Sequence, residues 1–348
     1  MRSPESMRSR RSGAGGGEAL QVPARGRAGL RIRRGLWGPG GTGDRGGAGD
    51  RGGAGDRGGA RVWMRLRRRP AFWIGCGLLV LLVLVAIVPG LFTGRDPAYC
   101  DLALSRRGPG DDAVFGYNLQ GCDVYARTIY GARASVLVGV FATAAVVVIG
   151  GLIGTAAGYA GGRLDSVLSR LTDVFFGIPL LLGALVALVA FPSDESTPGW
   201  QTTAKVVLAL GILGWTTVAR IARAAAIQVR HIDYVVVAQA MGGGHLQVIR
   251  RHVLPSVLPP VLAWSTMAVG GFIAVEATLS FIGIGLQPPV ISWGVEISEA
   301  QAYLRQSPHM LIVPSAALSL TVFAFMTLGE TLRAALDPRT PHLNDHVK

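Results

Sequence analysis

Two carboxylates lie inside long apolar runs: Glu276 midway through residues 257–282 and Asp173 near the start of residues 166–190. A carboxylate in lipid is expensive and so is paired, protonated or turned to a cavity, and a proton-coupled transporter builds its relay from such groups. No second carboxylate or histidine lies deep in the adjacent runs to extend a chain, which favours a structural role. Other chemistry is missing at the level of motif. A phosphate-binding loop needs Gly-Lys-Ser/Thr at a helix start, yet the lysines are Lys205, after Ala204, and Lys348. His231, His245 and His252 stand at spacings outside the usual zinc patterns. Neither a Gly-any-Ser-any-Gly elbow nor a His-Glu-any-any-His pattern points to a hydrolase. The residues read as a non-enzyme without a cofactor, a metal or an ATP site of its own.

The remaining polar feature is a basic hairpin over residues 230–255, wedged between apolar runs. Residues 232–241 predict a short amphipathic helix, Gly242, Gly243 and Gly244 break it, and residues 245–252 predict a second helical turn that Pro255 ends. Glycine permits the reversal. Ala238, Gly242, Ile249 and Leu254 are the expected packing face of a rigid lever. The competing reading is an amphipathic loop on the inner leaflet, with Arg250 and Arg251 on lipid headgroups.

The elements around these residues are apolar. Of 348 residues 50% are hydrophobic and 16% charged, well under the roughly 25% charged content of soluble domains, and the mean hydropathy is +0.40. A bilayer core of about 30 Å needs about 20 apolar residues as helix. Six runs qualify: 71–92, 134–159, 166–190, 204–222, 257–282 and 310–328. The expected fold class is an all-α polytopic membrane protein of six transmembrane helices.

Basic residues orient it. Arg61, Arg65, Arg67, Arg68, Arg69, Arg163, Arg220, Arg223, Arg230, Arg250, Arg251, Arg333, Arg339 and Lys348 fall on one side, against Arg95, Arg106, Arg107, Arg127, Lys205 and Arg305 on the other. That bias places the hairpin and both termini in the cytoplasm. Cys76 is a packing residue in the first span, whereas Cys100 and Cys122 share the outer loop, the oxidising side, and are candidates for a disulfide. Their distance is not given by sequence. Gly150, Gly154, Gly158 and Gly162 recur every fourth residue, predicting a helix face for close packing in lipid. Pro179 predicts a kink in the third span.

The net charge of +13 does not indicate nucleic acid, because it is local. Residues 1–69 hold 17 arginines and 5 acidic residues, and the rest is nearly neutral. This segment repeats Gly-Asp-Arg-Gly-Gly-Ala three times from residue 43 to 60 and has too few apolar residues to build a core. It is expected to be disordered, with Met64 as the expected initiator. Residues 70–133 then form the first span with its outer loop, 134–336 a core of the other five spans with the hairpin 230–255, and 337–348 a cytoplasmic tail.

Several motifs, in this order, resemble one family. They are Gly121-Cys122-Asp123-Val124, Ile129-Tyr130-Gly131-Ala132-Arg133-Ala134-Ser135, the hairpin with Tyr234, Ala238, Gly242, Ile249, Leu254 and Pro255, Gly285-Leu286-Gln287-Pro288-Pro289, Ser292-Trp293-Gly294, and Leu328-Gly329-Glu330-Thr331-Leu332-Arg333 with Asp337-Pro338. The chain is thereby similar to permease subunits of ATP-binding cassette importers of the dipeptide, oligopeptide and nickel group, over about residues 93–340. It departs from them in having Val236-Val237-Ala238 where the family often has Glu-Ala-Ala, and Val253 in a looser ending. The resemblance implies a type I importer permease fold. It also implies a second homologous permease subunit, two ATP-binding subunits, an extracytoplasmic solute-binding protein and a hairpin that couples to the ATPase. An ion-coupled secondary transporter is the alternative.

Overall fold

The computed structural model describes residues 63–336, apart from Arg65 and Glu195. The expectations of a disordered segment before residue 63 and of a tail over 337–348 lie outside the described residues. Among the described residues the chain is helical, with no named strand. Four helices are long and apolar enough to cross a membrane, and the number rises to six if each of two bent pairs is one span.

The first helix, α1, runs Pro70–Ile87. The second, α2, runs Val124–Ala160 and packs on α1 and on the helices Gly162–Phe176, Gly199–Gly214, Thr216–Arg230 and Leu254–Phe281, which makes it the axis of the fold. It starts ten residues before the expected residue 134 because Asp123 caps it, the carboxylate accepting from the backbone N–H of Tyr125 at 2.8 Å and of Ala126 at 3.1 Å. The expected boundary between 133 and 134 therefore falls inside one helix. Gly161, at φ +66°, ends it.

The third span is not one helix with a kink. Helix α3, Gly162–Phe176, meets α4, Leu180–Ala190, at 80°. Pro179 supplies no N–H and pushes Ile178 out of the helical region, so the chain breaks there. With 11 residues, α4 is only about 16 Å long, half of a bilayer core. The fourth span is also divided, into α5, Gly199–Gly214, and α6, Thr216–Arg230, bent by 44°. The bend falls at buried Trp215, which lies against Phe175 with ring centroids 5.6 Å apart.

Beyond the hairpin, α9 runs Leu254–Phe281, a short helix α10 spans Trp293–Ala300, and α11 runs His309–Leu336. One core cluster joins α2, α4, α5, α6 and α9 through Val138, Val146, Leu188, Leu210, Val218 and Phe272. A second gathers α1, α2, α9, α10 and α11 around Ile273, Trp293 and Phe325.

Three of the four spaced glycines act as expected. Gly150, Gly154 and Gly158 lie against the backbone of Trp215 at the bend and of Ala219 and Arg223 on α6, so close that a methyl at any of them would overlap it. Gly162 does not join this face. It opens α3 at φ +57° with nothing near its missing side chain, since Gly161 has already turned the chain away.

Candidate functional site: the hairpin and the far-end cap

The hairpin is built from α7, Asp233–Ala240, a turn at residues 241–244, and α8, His245–Val248. Gly242 has φ +82°, a conformation that side chains other than glycine's rarely adopt, and it makes the reversal. The sequence-based expectation for the second arm is overturned. Pro255 does not end it, because α8 passes through a π turn at Ile249–Val253 directly into α9. The wider turn accommodates the ring of Pro255, which has no N–H to give to the helical ladder. His245–Phe281 is thus one rod of 37 residues, about 55 Å long.

The packing face also differs from the expected one. Val235 and Val248 are buried against Val229, with Ala238 and Tyr159 beside them. Of the four expected residues, Ala238 contributes to this cluster and Ile249 is half-buried, whereas Gly242 and Leu254 are exposed. The signal for Val235 and Val248 was their apolarity in a polar segment, but which face turns inward depends on the arm's rotation against α6. Tyr234 is exposed and lies beside the His252 ring.

Polar contacts tie the hairpin to the foot of α2. The Tyr159 hydroxyl accepts from Gln239 Nε2 at 3.1 Å and meets His245 Nδ1 at 3.2 Å. Arg230 Nη1 donates to the Gly158 carbonyl at 3.0 Å. The base is therefore held while the tip is not: Met241 is 82% and Leu246 78% exposed. An apolar tip on an anchored hairpin can seat in a partner's groove.

Next to the hairpin, α3 and α6 are clamped by two ion pairs. Arg223 holds both oxygens of Asp165, with Nη2 to Oδ2 at 2.8 Å. Arg220 Nη2 holds Asp173 at 2.9 Å and its guanidinium stands 3.7 Å over the Phe176 ring. Asp173 is thus bonded to an arginine and is not a link toward Glu276.

At the other end of α9, two loops form a cap. Cys100 and Cys122 are joined, with Cα atoms 4.1 Å apart, and Arg95 Nη1 bonds Asp123 at 3.0 Å and Tyr117 at 3.2 Å. This disulfide loop meets α10 through Gln120 to Glu299, and the adjoining first turn of α2 meets it through Arg127, whose Nη2 and Nε lie 2.6 and 2.7 Å from Glu296 Oε1. Burial pushes the Glu296 carboxyl above the usual carboxylate range, and the charge and hydrogen bond of Arg127 act in the opposite direction.

The amino-acid sequence matches known families and proteins. A family model described as "Binding-protein-dependent transport system inner membrane component" matches residues 147–342, and one described as "N-terminal TM domain of oligopeptide transport permease C" matches residues 59–109. The oligopeptide transport system permease protein OppC of Bacillus subtilis is 31% identical over 276 residues, covering 79% of this chain and 88% of the relative. The dipeptide permease DppC of the same organism is 34% identical, covering 80% and 84%. The glutathione permease GsiD of Pectobacterium atrosepticum is 32% identical, covering 80% and 90%. The chain belongs to the family of inner membrane components of binding-protein-dependent transport systems.

Proposed function

We propose that the chain passes short peptides inward across the cytoplasmic membrane as one of two homologous permease subunits, driven by two separate ATP-binding subunits and supplied by an external solute-binding protein. Peptide as the solute is supported by the printed names of the relatives, which are oligopeptide, dipeptide and glutathione permeases. The observation that carries the mechanism is the anchored hairpin with the exposed tip Met241 and Leu246, continuous with a membrane-spanning rod. In this reading the tip seats in a groove of an ATP-binding subunit, and closure of that subunit on ATP tilts the rod. ATP is bound by the partners alone. The hairpin, both termini and the Arg223 and Arg220 clamps face the cytoplasm, and the disulfide-braced cap faces outward toward the binding protein.

The test is reconstitution with the second permease and the ATP-binding subunits, followed by uptake of a labelled dipeptide presented by its binding protein. Met241→Asp with Leu246→Asp should insert normally but lower uptake at least about tenfold, since a charge forced into an apolar groove weakens the docked state by well over 1.4 kcal/mol. Unchanged ATPase recovery and uptake in that variant would overturn the hairpin's role. Uptake of other solutes but no peptide would overturn the substrate.

A further inference from the structure

Glu276 is fully buried in α9, close to the cap, and neither the ion pairs nor the hairpin uses it. Ser280, one turn further on, donates to Glu276 Oε1 at 2.8 Å. The other oxygen, Oε2, is buried without a hydrogen-bond partner among the described residues. Ser280 gives its one hydroxyl proton to the carboxyl while its oxygen accepts the Leu286 N–H at 2.9 Å, so this serine bridges the segment joining α9 to α10 and the rod. Beside it, Ser135 on α2 accepts the Trp293 N–H at 3.4 Å, and Ser292 caps α10 by accepting the Val295 N–H at 3.3 Å.

The fit leaves no room for a looser arrangement. At Gly294 a methyl would lie 2.7 Å from the Ala277 Cα, and at Gly285 2.5 Å from the Ser280 nitrogen. Trp293 is buried, and its indole N–H donates to the Thr128 carbonyl at 2.9 Å. The polar cluster is thus enclosed among α2, α9 and α10, where each unmade hydrogen bond is costly.

We infer that Glu276 is a positioning residue that fastens the cap segment 283–296 to the rod, so that movement begun at the hairpin is delivered to the outer mouth of the permease. The rod has the hairpin at one end and Glu276 near the other. Without the carboxyl, the rod could tilt while the cap stayed in place. The transport half of this inference rests on the function proposed above, whereas the fastening itself does not.

Two measurements separate them. In the purified chain, hydrogen exchange of residues 283–296 should rise about tenfold in Glu276→Ala, the result of losing a buried hydrogen-bonded anchor, and remain near the wild-type rate in Glu276→Gln, which keeps the shape and an acceptor for Ser280. The hairpin's exchange should not change. Ser280→Ala, a smaller lesion that removes the bridge from Glu276 to the Leu286 N–H, should raise exchange in the same segment by a lesser factor, and it serves where the Glu276→Ala chain does not fold. In the reconstituted complex, solute moved per ATP hydrolysed should fall in Glu276→Ala and recover in Glu276→Gln. Unchanged exchange of 283–296 in Glu276→Ala, or in Ser280→Ala where it stands in, overturns the fastening. Raised exchange with an unaltered transport ratio overturns the delivery of movement. Failure of the wild-type chain to recruit an ATPase or move solute overturns the transport reading and leaves the exchange result standing.

Discussion

Adding one methyl to α2 should have opposite effects at two nearby positions. At Gly154 an added Cβ would meet the Ala219 backbone carbonyl carbon and Cα at 2.8 Å, where ordinary carbon contacts lie at about 3.5–4.0 Å. Backbone cannot swing aside as a side chain can, so α2 and α6 must part by most of an ångström along a contact that also includes Gly150 and Gly158. Overpacking of this kind typically costs about 1–3 kcal/mol, against roughly 0.5–1 kcal/mol gained from the better helix propensity of alanine. Gly151, on another face of the same helix, has nothing within 4 Å of its missing Cβ. Gly151→Ala should therefore be neutral or slightly stabilising. Gly154→Ala should lose about 1–2 kcal/mol, a drop of about 1.5–3 °C in unfolding midpoint for a chain of this size. Because α6 leads directly into the hairpin, the same variant should also weaken the Arg230 bond to Gly158 and the Val229, Val235 and Val248 cluster. The assay is thermal unfolding in detergent of both variants beside the parent, with hairpin exchange as a second reading. Equal midpoints, or Gly154→Ala the more stable of the two, would refute the close α2–α6 crossing.

Two further outcomes follow from the cap and from the orientation. Arg127→Ala leaves the buried Glu296 carboxyl without its partner and should destabilise by about 3–5 kcal/mol, whereas Arg127→Met with Glu296→Leu together should recover much of that loss; unfolding midpoints of the single and double variants check it, and equal losses would show that the pair is not what holds α10. Cysteine introduced at Thr197 in a Cys76→Ser background should react with an impermeant reagent from outside intact cells and cysteine at Gly244 should not, and the reverse pattern would reject the orientation drawn from the arginine bias.

The separations of these residues in the chain explain what could be read from sequence. Apolar run length is a local property set against a fixed bilayer thickness, so the six runs and the all-helical class were visible without coordinates. The four-residue glycine spacing was legible for the same reason, and it identified the α2 face that meets α6. Gly242 and the three-glycine break marked the hairpin turn, and the ordered motifs identified the family.

What sequence left open depended on residues far apart in the chain. The start of α2 at Val124 relies on Asp123 being held by Arg95, and Arg127 is accommodated in that helix because Glu296, 169 residues away, meets it. A proline in a helical run predicts a disturbance but not its size. The same residue type breaks the chain by 80° at Pro179 and is absorbed at Pro255 by a π turn. The inward face of the hairpin is Val235 and Val248 because α6 and Tyr159 fix the rotation of its arms. Glu276 read as a costly carboxyl among apolar residues with a structural role. The Leu286 N–H that Ser280 links to it lies beyond the end of α9, and a buried polar group is explained by the groups that tertiary structure places around it.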